Sequence, residues 1–378
     1  MAEIVDVDAF EQTIDVDNVT DRYREFRDAE GIPVHTGLYI DDWNALETGR
    51  WDRTGQRGAF VNLYGAEGVN DMHLHELEPG GKTTTQRHLY EEIVYVADGE
   101  GLTVVGEGEN EIVFEWSEHA LFFLPPNTPY RHVNASGDEP ARLLAETPLP
   151  QLLTMYRDES ILFEPGPSRW AQYQEEGYYD ADAGILEAKD PDKPGGVLKW
   201  MANFVPDIQR FEKLEAHQAR GAGGTSVIFP FEDTSMWAHI SEFPVGTYKK
   251  AHRHHPGANV GILSGEGFSL MWVEGWDERV RIDWSARSMF TPPASWYHQH
   301  FNTSDRKDRY FAMHGPKLGT LEEANIFDYT NPANQIEYVD EDPEIRELYE
   351  AELDRTGIDS RMPDEAYADP DFAFGAGD

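Results

Sequence analysis

From Ala251 to Gly267 the chain reads A-H-R-H-H-P-G-A-N-V-G-I-L-S-G-E-G, and from Pro292 to Asn302 it reads P-P-A-S-W-Y-H-Q-H-F-N. His252 and His254 stand at positions i and i+2. On a β-strand that spacing puts both side chains on one face. His298 follows a Pro-Pro turn on a later strand, where a closed barrel can bring it to the first pair. Imidazoles converging from two strands make a transition-metal site. These stretches predict an all-β barrel with a metal at its centre.

The pattern also occurs upstream. Pro79 to Gly101 reads P-G-G-K-T-T-T-Q-R-H-L-Y-E-E-I-V-Y-V-A-D-G-E-G, and Pro125 to Asn134 reads P-P-N-T-P-Y-R-H-V-N. Aligning Gly99 with Gly265 sets Gln86 opposite His252 and His88 opposite His254. Such self-similarity marks an internal repeat.

Both pairs of motifs resemble those of the cupins. The resemblance implies a bicupin, an all-β dominated chain with two jelly-roll barrels, a helical connector and terminal arms. The expected layout is an N-terminal arm over 1–58, a first barrel with a degenerate site over 59–150, and a connector over 151–224. A second barrel with the metal site follows over 225–317, then an acidic extension over 318–378.

In the second copy His252, His254 and His298 fill the family's three histidine slots, and Ala258 stands where its glutamate would be. The run H-R-H-x-P-x-A, followed by P-P-x-x-W, is similar to the three-histidine gentisate-type ring-cleaving dioxygenases. In those the working site is expected in the N-terminal barrel, whereas here it falls in the C-terminal one. The resemblance implies Fe(II) on the three histidines. It also implies O2 as co-substrate and a hydroxylated aromatic acid, or a similar chelating anion, as substrate. Imidazole alone does not separate Fe from Mn, Ni, Cu or Zn. The rival readings are a bicupin that binds metal or ligand without turnover, and an O2-independent metal-dependent isomerase or lyase.

His300 shares the face of His298 and is the candidate catalytic acid–base group; the plainer reading is a polar residue at the barrel mouth. His255 is expected to point outward, and Asn259 to face away from the Ala258 slot. Arg281 is the candidate clamp for a substrate carboxylate, since a guanidinium binds one bidentately. Trp272 and Tyr297 are the candidate stacking surface, taken from an aromatic set (with Trp237, Phe268 and Trp296) of which half should be core. A secondary site in the first barrel would use Gln86, His88, Glu92 and His132, with Tyr130 in the last histidine slot. His73 and His75 complete it if their face is inward; otherwise the cluster is vestigial.

Composition narrows the partners. Asp and Glu number 71 against 31 Lys and Arg, a net charge of −40. Carboxylates spread along the chain suit a protein dissolved in high salt, where self-repulsion is screened. They argue against binding to nucleic acid or anionic membranes, both of which need basic surface. Cysteine is absent, so there is no disulfide and no thiolate ligand. Met1 to Thr20 is acidic, with no apolar core of a secretion signal, and no apolar run is long enough to span a bilayer. A cytoplasmic location and, by the resemblance, a homo-oligomer are expected.

Outside the barrels, Asp21 to Glu30 predicts a helix capped by Thr20 or Asn18, and Gly31 to Ile40 a strand. Apolar spacing in Pro206 to Ala219 predicts a helix in the connector, and Asp342 to Leu353 an amphipathic helix in the tail.

Overall fold

The same order of strands occurs twice. The first set is Gln56–Leu63, Asp71–Leu77, Glu92–Asp98, Glu100–Val105, Ile112–Ser117, Leu121–Leu124, Tyr130–Asn134 and Ala141–Thr147. The second is Thr225–Phe229, Trp237–Phe243, Ala258–Ser264, Glu266–Trp272, Glu278–Ser285, Met289–Phe290, Tyr297–Asn302 and Asp308–His314. The protein is seen in a computed structural model that describes residues 2–66, 68–156, 158–167, 177–182, 184–187, 198–216, 221, 223–231, 236–254, 257–315, 334–369, 372 and 374. In each set five strands form a larger sheet and three form a smaller one that faces it, giving two jelly-roll barrels.

Alternation along each strand decides what fills the barrels. On Glu92–Asp98, residues Val94 and Val96 point inward to Val105, Phe114, Phe122 and Leu143. Ile93, Tyr95 and Ala97 point the other way, into a core shared with Val227, Phe229, Ile240, Phe311 and Met313 of the second barrel. The two larger sheets therefore pack against each other through their outer faces. Removing both faces from water is why this strand reads I-V-Y-V-A without polar alternation.

The N-terminal arm ties the barrels together. Glu3–Asp6 adds to the second barrel in parallel with Glu278–Ser285. The single strand expected over Gly31 to Ile40 is two: Val34–Gly37 joins the first barrel and Tyr39–Ile40 the second. Each covers a sheet edge that would otherwise expose unpaired backbone groups.

Helix Asp21–Glu30 starts at Thr20, whose hydroxyl accepts from the Tyr23 amide, and stops at Gly31 in the left-handed region. Phe26 on its buried face stacks on Phe163 at 5.3 Å across the mouth of the first barrel. Helix Pro343–Thr356 is capped by Asp342 and ended by Gly357. Ile345, Tyr349 and Leu353 form its i, i+4, i+8 stripe. They pack with Tyr248, Phe268 and Phe301 on the outer face of the second barrel's smaller sheet.

The connector departs from expectation. Among the described residues its helices are Leu149–Met155 and Ser160–Phe163. The segment expected to be helical from Pro206 is irregular up to Leu214, then forms strand Glu215–Ala216 against Thr225–Ser226. Ile208 is taken up by the inter-barrel core, with Phe211 and Leu214 packed against it, so tertiary burial overrides the helical spacing. Residues 217–219 lie outside the described residues, as do Pro191 to Gly196. Among the described residues no helix is long and apolar enough to cross a membrane.

The tail is pinned by a buried carboxyl. Glu341 accepts hydrogen bonds from the Tyr248 hydroxyl and the Gln299 amide, both at 2.6 Å. Burial pushes its pKa from 4.5 up to about 7 against the pull of those two donors. Between these values the folded chain holds a proton that the unfolded chain has released. Stability from this group is therefore present in full below about 4.5 and declines as pH rises to about 7. The loss should be about 1–2 kcal/mol after allowance for solvent. Urea denaturation across this range should show a shallower decline for Glu341→Gln than for the parent.

Candidate metal centre

The second barrel brings three histidines together. His252 lies directly opposite His298 in an antiparallel pair, with ring centroids 4.0 Å apart. His254 lies 4.7 Å from His298 and 5.6 Å from His252, ring to ring. One ligating atom of each lies within 4.8 Å of the others. The strand carrying the pair is shorter than expected: it ends at His252, and His254 stands on the irregular segment after it. His298 Nδ1 lies 3.2 Å from the Trp296 carbonyl oxygen. As a donor there it leaves Nε2 as the lone pair turned to the centre, the usual way a ligating imidazole is oriented. His252 and His298 are buried and His254 is half-buried. The donor set suits a first-row divalent ion.

Ala258 faces the barrel interior together with Val260 and Ile262 and offers only a methyl group. It lies opposite His314, which sequence reasoning missed. His314 stacks flat on Trp237 at 3.7 Å, and its Nε2 lies 3.0 Å from His239 Nδ1. Its ring is 6.4 Å from that of His254. The internal repeat held a pointer to half of this pair: the offset aligning Gly99 with Gly265 also aligns His73 with His239. Nothing local marks His314.

His300 sits behind the three histidines, 5.6 Å from His298 and 6.4 Å from His252 by ring centroids. Its Nδ1 is 2.7 Å from Ser269 Oγ, which accepts from Trp284 Nε1 at 2.9 Å. The first barrel repeats the arrangement: His132 Nδ1 is 2.8 Å from Thr103 Oγ1, which accepts from Trp116 Nε1 at 2.9 Å. In each barrel a hydroxyl holds a histidine against an indole. Ser269→Ala removes the acceptor of a buried indole N–H, so it should destabilise the protein by about 1–3 kcal/mol. Thermal unfolding should report the loss, and Ser269→Thr should restore most of it.

The substrate-contact residues expected from sequence are elsewhere. Register pairs Met271 with His298 and Trp272 with Tyr297. Trp272 and Tyr297 therefore face outward, where they stack on each other at 5.7 Å beneath the C-terminal helix. Arg281 is also outside, paired with Asp283 and Glu352 over the Phe268 ring. Trp237 is the aromatic that does face the centre. Asn259 turns away as expected, donating to Glu146 across the barrel junction at 3.2 Å. His255 lies outside the described residues.

In the first barrel the expected set divides. Gln86 points away: its amide donates to the Arg53 carbonyl and to Thr84. His88 Nδ1 lies 2.7 Å from the Tyr90 carbonyl oxygen, and Nε2 lies 3.1 Å from Tyr130 Oη and 3.0 Å from Glu92 Oε1. Burial would push the Glu92 carboxyl up, but His88, by charge and by hydrogen bond, holds it well below the usual range. Burial drives His75 well below its ordinary value and His132 down to about 4, so both are neutral at pH 7.

Residues 73–145, most of the first barrel, match the sequence model of the cupin domain. A single-residue variant of Bacillus subtilis oxalate decarboxylase is similar over 74% of this chain and 77% of its own, at 13% identity and a TM-score of 0.47. The same enzyme at pH 4.6 is similar over 74% and 76%, again at 13% identity and 0.47. Likeness at this level says nothing of the reaction. No curated protein matches the chain. The first barrel thus carries a cupin domain, and the second repeats its strands in the same order.

Proposed function

We propose that the second barrel is the active site of a metal-dependent oxygenase. His252, His254 and His298 would hold Fe(II), and a small chelating anion, such as a hydroxylated aromatic acid, would be cleaved with O2. The observation that carries the reading is a set of three neutral ligands with a methyl group, Ala258, in the carboxylate position. A divalent metal bound there supplies a Lewis acid for an anionic chelator and, if iron, electrons for O2. The chain's own residues do the rest. The Trp296 carbonyl keeps His298 turned inward. Trp237 and Phe290 supply apolar walls, and the buried Ser269–His300 pair closes the far side. The large acidic excess supports a protein that works in high salt.

His239 and His314 favour a second reading. A hydrogen-bonded imidazole pair beside the centre can take and return a proton. That would suit a lyase or isomerase that needs no O2. One experiment separates the two. The protein is purified anaerobically, loaded with Fe(II) or Mn(II), and offered gentisate, salicylate, homogentisate and oxalate. O2 uptake equal to substrate consumed supports the oxygenase. Substrate loss without O2 uptake overturns it in favour of the lyase. Bound metal with no turnover on any of these acids counts against both and supports a binding protein.

A further inference from the structure

The first barrel contains a second cluster of potential ligands, two of which, His73 and His75, the cupin motifs do not name. His73 and His75 are on the inward face of Asp71–Leu77, since Met72 and Leu74 between and beside them join the inter-barrel core. Their rings are 4.8 Å apart. His73 Nε2 is 3.7 Å from Glu92 Oε1, and one donor atom from each of His73, His75 and Glu92 lies within 4.8 Å of the others. All three are buried.

An independent observation points to a ligand. Both ring nitrogens of His75, Oε2 of Glu92 and Nε2 of His132 are buried without a hydrogen-bond partner. The His132 ring is 5.8 Å from that of His75. Orphaned buried polar atoms are rare and costly, and a group of them around one space means that something fills it. A water molecule offers two hydrogens, whereas a cation satisfies every lone pair directed at it. The space exists: a cavity of about 160 Å³ is lined by His73, His75 and Glu92, with Trp51, Arg53 and Tyr90 on its other sides.

The motif slots, by contrast, are engaged. Gln86 has turned to the Arg53 carbonyl, Tyr130 replaces a histidine, and His88 is hydrogen-bonded through both nitrogens. Of the four slots Gln86, His88, Glu92 and Tyr130, Glu92 is left open on one oxygen.

We propose that the first barrel binds a divalent transition-metal ion on the motif residue Glu92 together with His73 and His75, which lie on the strand Asp71–Leu77 outside the motif slots. His88 is then a positioning residue that fixes the Glu92 carboxylate through Oε1. Two nitrogens and one carboxylate oxygen in a buried site suit Co(II), Mn(II), Fe(II) or Zn(II). This site does not depend on the second barrel's reaction, and the test removes the second barrel's ligands first.

Full-length protein carrying His252→Ala and His298→Ala is stripped with chelator and titrated with Co(II) alone. Binding is followed by the visible absorption of the ion and by metal content after desalting. One equivalent should bind. Adding Glu92→Gln or His75→Gln should weaken it by at least about 100-fold, whereas His88→Gln should weaken it only about 10-fold. No Co(II) on the folded double variant overturns the proposal. So does a loss on His88→Gln that is absent from His73→Gln and His75→Gln, which would return the ion to the motif slots. Should the buried histidine variants fail to fold, the paramagnetic resonance of Cu(II) in the double variant decides. Coupling to two imidazole nitrogens supports the site, and coupling to one or none overturns it.

Discussion

His298→Ala should abolish metal binding in the second barrel while leaving both barrels folded. The imidazole is one of the three candidate ligands and faces His252 across the strand pair. Its removal leaves two neutral donors and no carboxylate to compensate. Loss of groups that merely support a ligand costs about 10–100-fold in affinity, so loss of the ligand itself should exceed about 100-fold. Any turnover should fall to background with it. Metal analysis after desalting, beside far-UV circular dichroism, checks both halves of the expectation. His300→Gln is the contrast: its ring lies behind the cluster on Ser269, so metal should be retained with at most about a 10–100-fold loss of affinity. A His298→Ala protein that keeps its full complement in the second barrel would end the three-histidine assignment.

Gly267→Ala should be strongly destabilising. A Cβ on Gly267 would lie 1.9 Å from the Phe301 carbonyl oxygen and 2.7 Å from the Trp284 ring. Gly101, its counterpart in the first barrel, would meet the Val133 carbonyl oxygen at 2.2 Å and the Trp116 ring at 2.4 Å. Neither the strand partner nor the packed indole can withdraw cheaply. Overpacking of this kind costs about 1–3 kcal/mol or more, and Gly267 should stand at the upper end. The displaced indole is the one that holds Ser269 and through it His300, so the strain reaches the back of the metal centre. Gly137→Ala, with nothing within 4 Å of a Cβ, should be close to neutral. The midpoint of urea unfolding measures all three. Equal midpoints for Gly267→Ala and Gly137→Ala would refute the packing argument. The first glycine of each G-E-G turn has a different reason: Gly99 and Gly265 have φ of 88° and 96°, a region open to glycine and strained for other residues.

These glycines show how local constraints make a fold readable. A turn that only glycine can make, followed by a glycine pressed on a tryptophan, leaves a mark in sequence each time it is used. Finding it twice was enough to expect two barrels. The same holds for His252 and His298, which sit at fixed distances from those turns. Tyr297 is read into the site from sequence and lies outside it, although it neighbours His298 on a strand and neighbours alternate.

Other placements were not legible. Whether Trp272 faces the three histidines depends on the register that sets it opposite Tyr297, and register is a relation between strands. Charge alone does not place Arg281, whose carboxylate partner Glu352 lies on a helix 71 residues further along the chain. His314 reaches the centre through the pairing of Asp308–His314 with Trp237–Phe243 and Ala258–Ser264.

Taken alone, the sequence determined what depends on near neighbours along the chain: two copies of a barrel motif, the turns that close them, and three histidines in the second copy. Tertiary structure alone decided what depends on strands far apart in sequence: the His239–His314 pair, the outward Trp272 and Arg281, and the meeting of His73, His75 and Glu92. The reason is that backbone geometry sets which face a residue takes within its strand, while only packing of distant strands sets what that face meets.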